Sequence, residues 1–121
     1  MQKKLAKREE QIMQACWHLG KAFVKEIIAE LPDPKPHYNS VATMVRILEE
    51  KGFLGHEIFG NTFRYYPVVS KEQYQKHAFE DMVRVYFNNS YPSMLAYFAK
   101  EQKLSQEELN EILEIIKSQK K

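Results

Sequence analysis

Residues 53–69 restrict the fold more than any other part of the chain. Phe53-Leu54-Gly55-His56-Glu57-Ile58-Phe59 and Thr62-Phe63-Arg64-Tyr65-Tyr66-Pro67-Val68-Val69 are aromatic and β-branched, and Gly60-Asn61 separates them. Two such runs joined by a two-residue turn containing glycine specify a β-hairpin. Everything before the hairpin reads as helix. Leu5 to Leu19 repeats apolar residues (Leu5, Ile12, Met13, Cys16, Leu19) at helical spacing and meets Gly20, a natural stop. Val24, Ile27, Ile28 and Leu31 make a second short apolar face, ended by Pro32-Asp33-Pro34-Lys35-Pro36, because proline lacks an amide donor and disfavours helix in its predecessor.

A further helix is expected from about Asn39 to Lys51, closed by Gly52, with Val41, Met44, Val45 and Leu48 on one stripe. The order helix, helix, helix, hairpin is the order a winged helix-turn-helix requires. Ser70-Lys71-Glu72-Gln73 has capping-box form and opens a long helix reaching to about Asn88. Asn88-Asn89-Ser90-Tyr91-Pro92 breaks it, and Pro92 suits the first turn of a helix running through Gln102. Ser105-Gln106-Glu107-Glu108 is a second capping box, ahead of a helix with Leu109, Ile112, Leu113 and Ile116 on one face. The expected fold is mainly α with a small β-hairpin wing: an N-terminal winged helix-turn-helix over residues 1–70, and a C-terminal helical dimerisation region over 71–121.

The length of 121 residues fits one domain with an appendage, and 44% hydrophobic with 28% charged residues is ordinary for a globular protein. No apolar run is long enough to span a membrane, and the polar start lacks a signal peptide's apolar stretch. With a single cysteine, Cys16, no internal disulfide is possible. A cytoplasmic location without membrane insertion is expected. The net charge of +2 resides in residues 1–70, while 71–121 is balanced. The tail is rich in apolar and aromatic residues, among them Tyr74, Phe79, Met82, Val83, Tyr86, Phe87, Leu95 and Phe98, and little chain remains to cover them. Either a symmetric dimer buries them, through Tyr74, Met82, Tyr86, Leu95, Phe98, Leu109, Ile112, Leu113 and Ile116, or the tail folds back on its own head.

A helix fits the major groove of B-form DNA, with one face meeting base edges. On the helix from Asn39, the face opposite the apolar stripe carries Ser40, Thr43, Arg46 and Ile47. Ser40 and Thr43 offer hydroxyls, and Arg46 can donate bidentately to guanine or clamp phosphate. Asn39 stands at the start, with His37 and Tyr38 at the positive helix end, where amides can hold phosphate. Asn61, Thr62 and Arg64 in the hairpin, and Lys7 and Arg8 on the first helix, are placed to touch the adjacent backbone. Periodicity leaves open the plainer alternatives: Arg46 pairing with Glu49 or Glu50, and Asn39 and Ser40 serving as caps.

Other chemistry finds little support. Cys16 lies on an apolar helix face beside Trp17, which suits a buried thiol better than a redox sensor. His18, His37, His56 and His77 form no close metal pair in sequence, and convergence of His18 with His77 is unspecified. Without a Gly-rich phosphate loop or a nucleophile elbow, the expectation is no enzyme, no cofactor and no metal.

The sequence resembles the penicillinase repressor family of bacterial regulators, which includes the methicillin-resistance and copper-responsive repressors. The resemblance rests on Lys7-Arg8-Glu9-Glu10-Gln11-Ile12-Met13 followed by Trp17, on Val24-Lys25-Glu26-Ile27, and on Asn39 through Gly52. It continues in Gly60-Asn61-Thr62-Phe63-Arg64-Tyr65-Tyr66-Pro67 and Leu104-Ser105-Gln106-Glu107-Glu108-Leu109. It implies a homodimeric transcriptional repressor on inverted-repeat operator DNA, with Thr43 and Arg46 on the reading face. In the β-lactam branch, a membrane sensor-protease pathway relieves repression by cutting an Asn-Phe bond in the tail. The aligned pair here is Tyr97-Phe98, without the Asn. The copper branch carries a Cys-rich tail, whereas this chain ends Ser118-Gln119-Lys120-Lys121. The competing function class is a winged-helix protein-interaction module that docks a partner through its aromatic tail.

Overall fold

A computed structural model describes residues 5–101 and 103–119. The elements run α1 (Lys7–Leu19), α2 (Val24–Glu30), α3 (Tyr38–Glu50), β1 (Leu54–Phe59), β2 (Thr62–Pro67), α4 (Lys71–Phe87), α5 (Tyr91–Lys100) and α6 (Gln106–Gln119). The chain forms two compact units, Met1–Ala78 and Phe79–Lys121, so the first two turns of α4 belong with the winged helix. Among the described residues no helix is long and apolar enough to cross a membrane.

In the first unit the apolar stripes of α1, α2 and α3 meet. Ile12, Met13, Cys16, Ile27, Val41, Val45, Leu48 and Phe53 are almost completely buried, with Met44 packed partly against them. Burial pushes the Cys16 thiol up to about 12, so the nucleophilic thiolate is scarce at neutral pH and the residue serves as core. Polar first-turn residues close the helix starts: Glu9 reaches back to the Ala6 amide at 2.9 Å and Glu26 to that of Phe23 at 2.8 Å. Ser70 and Gln73 form a reciprocal box at α4, as Ser105 and Glu108 do at α6.

The end of α3 launches the hairpin. Gly52 takes φ 87°, its amide donates to Glu49 O at 3.0 Å, and the Phe53 amide donates to Leu48 O at 2.9 Å. This is a Schellman turn, and it drops Phe53 into the core beside Leu48. β1 and β2 then pair antiparallel from Leu54↔Pro67 to Phe59↔Thr62, leaving Gly60-Asn61 as the two-residue turn with positive φ at Gly60. That pattern fits a type II′ turn, whose twist matches the strands it joins. The hairpin gains a third strand of one residue: Ala22, between α1 and α2, exchanges both backbone hydrogen bonds with Tyr65, at 2.8 and 2.9 Å.

Beyond the hairpin, the Trp17 indole donates to Val69 O at 2.9 Å. Tyr74 of α4 lies 5.6 Å from the Trp17 ring and 6.0 Å from that of Phe53, and its hydroxyl donates to Glu10 at 3.2 Å. Tyr74, expected on a dimerisation face, is buried in the core of the winged helix.

In the second unit, Asn88 and Asn89 take left-handed φ of 52° and 63°, ending α4 with the residue type that tolerates that region best after glycine. Ser90 caps α5 through the Ser93 amide at 3.1 Å, and Pro92 sits in its first turn. Phe79 packs near Tyr91, and Phe87 near Tyr97 and Phe98. Val83 and Met94 are the buried hydrophobic side chains of this unit among the described residues.

Two outcomes follow from the first unit. A Cβ at position 52 meets no atom within 4 Å, so Gly52→Ala isolates the conformational penalty of left-handed backbone. It should lower stability by about 1–2 kcal/mol, read as a reduced urea midpoint at constant slope. The second concerns Glu9, buried and paired with Lys51 at 2.8 Å across α1 and α3. Burial raises its pKa, but the Lys51 hydrogen bond, the Ala6 amide and the Lys51 charge together hold it below the ordinary 4.5. A carboxyl depressed on folding stabilises at neutral pH, and that contribution fades as pH falls through the folded value. Glu9→Gln should therefore cost about 1–2 kcal/mol at pH 7, with the gap to the parent protein closing in acid denaturation curves below the carboxylate range.

Candidate nucleic-acid interface

Helix α3 starts one residue earlier than its pattern predicts. His37 is extended and forms the N-cap without a side-chain cap bond, so Asn39 and Ser40 lie in the first turn and are not caps. Within the chain's backbone, hydrogen bonding at this end begins at the Val41 amide, which donates to His37 O at 3.1 Å. The amides of Tyr38, Asn39 and Ser40 precede that bond and form the positive end of the helix dipole.

The exposed face of α3 and the hairpin enclose a groove of about 340 Å³. Of the residues expected to contact DNA, Tyr38, Asn39, Thr43, Arg46, Asn61 and Thr62 line it, and Val24, Ala42, Phe63 and Tyr65 complete it. Helix α3 and the wing tip thus share one concavity, although they are separated in sequence.

Arg46 is exposed and, among the described residues, forms no ion pair. The acid one turn on, Glu49, is instead paired with His56 of β1, so pairing of Arg46 with Glu49 or Glu50 does not occur. The Arg46 guanidinium keeps its donors for an outside acceptor. Thr43 differs: its hydroxyl donates to Asn39 O at 2.9 Å, which leaves its methyl and lone pairs for the groove.

The remaining expected residues lie elsewhere. Ser40 is exposed on α3 outside the groove lining, as is Lys7 on α1. Arg8 is half-buried, with one terminal guanidinium nitrogen sealed and without a partner among the described residues. Arg64 sits on the opposite hairpin face from Phe63 and Tyr65. Its guanidinium lies 5.9 Å from the Phe23 ring centre and 5.6 Å from that of Phe59, with Glu57 at 3.9 Å. Cation–π contact and ion pairing hold it on that face. His18 is bound to Glu30 at 2.9 Å.

Sequence reasoning missed Tyr65 and Phe63 as groove residues. Strand alternation carries the signal, since both share a face with His56 across the ladder. The sequence does not reveal that this face turns toward α3.

The arrangement is that of a winged helix-turn-helix. Residues 5–118 match the penicillinase repressor family. The chain is 28% identical over 117 residues to the penicillinase repressor of Bacillus licheniformis, covering 93% of this chain and 88% of that protein. It is 22% identical over 113 residues to the methicillin resistance regulatory protein MecI of Staphylococcus aureus (strain N315), covering 93% and 92%. Among solved structures it is similar to the monomeric form of Bacillus licheniformis BlaI in complex with the blaP half-operator, with 27% identity, a TM-score of 0.50, and coverage of 61% of this chain and 94% of that one. The chain belongs to the penicillinase repressor family.

Proposed function

We propose that this chain is a DNA-binding transcriptional repressor that acts as a homodimer on an inverted-repeat operator. The observation that carries the reading is the shared groove of α3 and the wing, in which Tyr38, Asn39, Thr43, Asn61 and Thr62 line a concavity with Arg46, whose guanidinium forms no ion pair among the described residues. Family membership supports it, as does the likeness to a repressor solved with its half-operator. α3 enters the major groove, Arg46 donates to a base edge or a phosphate, and the wing tip follows the neighbouring backbone. The chemistry is recognition, with no catalytic step.

The second unit supports the dimer. Tyr86 is 74% exposed and Leu113 48% exposed, while Met82, Leu95, Phe98, Leu109 and Ile112 are only half-buried. A second copy of the chain would remove this apolar surface from water and set two recognition helices on two half-sites. The Ile116 side chain lies outside the described residues, and Tyr74 is already occupied in the first unit. The bond aligned with the family's cleavage site, Tyr97–Phe98, lacks the Asn and lies inside α5, so relief of repression by a cut there would require α5 to unwind.

On a duplex selected by the protein itself, Arg46→Ala should cost about 1–3 kcal/mol of binding with the thermal midpoint unchanged. Relaxed preference at one base position would mark a base contact; even weakening with a shallower salt dependence would mark a phosphate contact. Thr43→Ala should cost less, since its hydroxyl proton is already engaged by Asn39. Undiminished binding by the Arg46 variant would reject the groove as the reading surface. Leu113→Asp should convert the dimer to monomer in sedimentation, with helical circular dichroism retained; a variant that stays dimeric would place the interface elsewhere.

A further inference from the structure

Tyr65 has an unusual position for a wing residue. Only 5% of it is exposed, and its backbone is fixed by both hydrogen bonds to Ala22, yet it lines the groove between α3 and the hairpin. A buried tyrosine normally finds a partner for its hydroxyl. Among the described residues the Tyr65 hydroxyl bonds to no protein group, whereas that of Tyr74, the other buried tyrosine, donates to Glu10. Nor is it sealed: among the described residues, the unpartnered side-chain polar atoms shut off from solvent belong to Arg8 and Arg64. Tyr65 thus lines the groove with a hydroxyl that is open to solvent and without a protein partner among the described residues.

We infer that the Tyr65 hydroxyl is a fixed hydrogen-bond donor to a phosphodiester oxygen of the DNA strand that runs between α3 and the wing. The inference rests on the proposed DNA-binding function and adds a residue and a contact type to it. The surroundings favour an anionic acceptor. Tyr38 and Arg46 line the same groove, and the positive end of α3 opens at Tyr38 and Asn39. Burial and the Glu49 carboxylate hold the phenol above its ordinary value despite Arg46, so the group remains a neutral O–H across the physiological range. The ring packs near His56 at 5.8 Å and Phe63 at 6.3 Å, so little side-chain freedom is lost when the bond forms.

The test is Tyr65→Phe, which keeps the ring and removes one oxygen. Binding to a mixed-sequence duplex and to a duplex enriched by the parent protein is measured over a salt series, together with the thermal midpoint. The expected result is about tenfold weaker binding to both duplexes, an unchanged melting temperature, and an unchanged salt slope, because no charge is lost. Parent-like affinity on both duplexes would overturn the inference. So would a loss confined to one base position of the enriched duplex, which would make the contact a base contact, or a loss that tracks a lowered melting temperature, which would make Tyr65 structural. Parent protein that binds neither duplex would instead remove the DNA-binding reading on which the inference stands.

Discussion

The groove between α3 and the wing depends on the paired backbone hydrogen bonds between Ala22 and Tyr65. A two-stranded hairpin is marginal by itself in water, and its tip projects Ile58 and Phe59 into solvent. Binding the middle of β2 to the connection between α1 and α2 gives it a third strand and orients one face toward α3. The Schellman turn at Gly52 works from the other end, fixing where β1 leaves α3 and burying Phe53. The side contacts of the hairpin follow: His56 meets Glu49, Arg64 lies over Phe23 and Phe59, and Lys21 reaches Glu57 at 3.4 Å. The groove has its shape because both strands are held, one by its start and the other by its middle.

The distribution of cations explains how a chain with a net charge of only +2 can present a DNA surface. Counting charges treats Lys51, Arg64 and Arg46 alike, but the fold assigns them different tasks. Lys51, just past α3, neutralises the buried Glu9 of α1, and Arg64 ties Phe59 of the wing to Phe23 ahead of α2. Arg46 is left without an internal acid because Glu49 is engaged by His56. Phosphate binding depends on where cations sit more than on their sum, and of these three cations Arg46 is the one that lines the groove.

Much of this was legible in the sequence. Helical spacing locates α1, α2 and α3, and the aromatic runs around Gly60-Asn61 locate the hairpin with its register, because both signals are local and periodic. The two serine capping boxes mark the starts of α4 and α6 for the same reason. What the pattern could not show depends on residues distant in sequence. Arg64 is drawn from the groove by Phe23 and Phe59; Tyr74 belongs to the winged helix because Trp17, Phe53 and Glu10 receive it; and Tyr65 joins the groove because Ala22, a strand of one residue with no sequence signature, holds its backbone. The start of α3 at Tyr38 escapes prediction because His37 caps by backbone geometry alone, without the polar side chain that usually marks an N-cap.

In the proposed function the groove of α3 and the wing reads duplex DNA, with two copies acting together. Selection of bound sequences from random duplex DNA by the purified full chain, at near-physiological salt, tests it most directly. The expected result is enrichment of an inverted repeat whose half-sites are spaced to place two copies of α3 on one face of the DNA. Folded, dimeric protein that enriches no sequence would contradict it and would point to a winged helix that binds another protein.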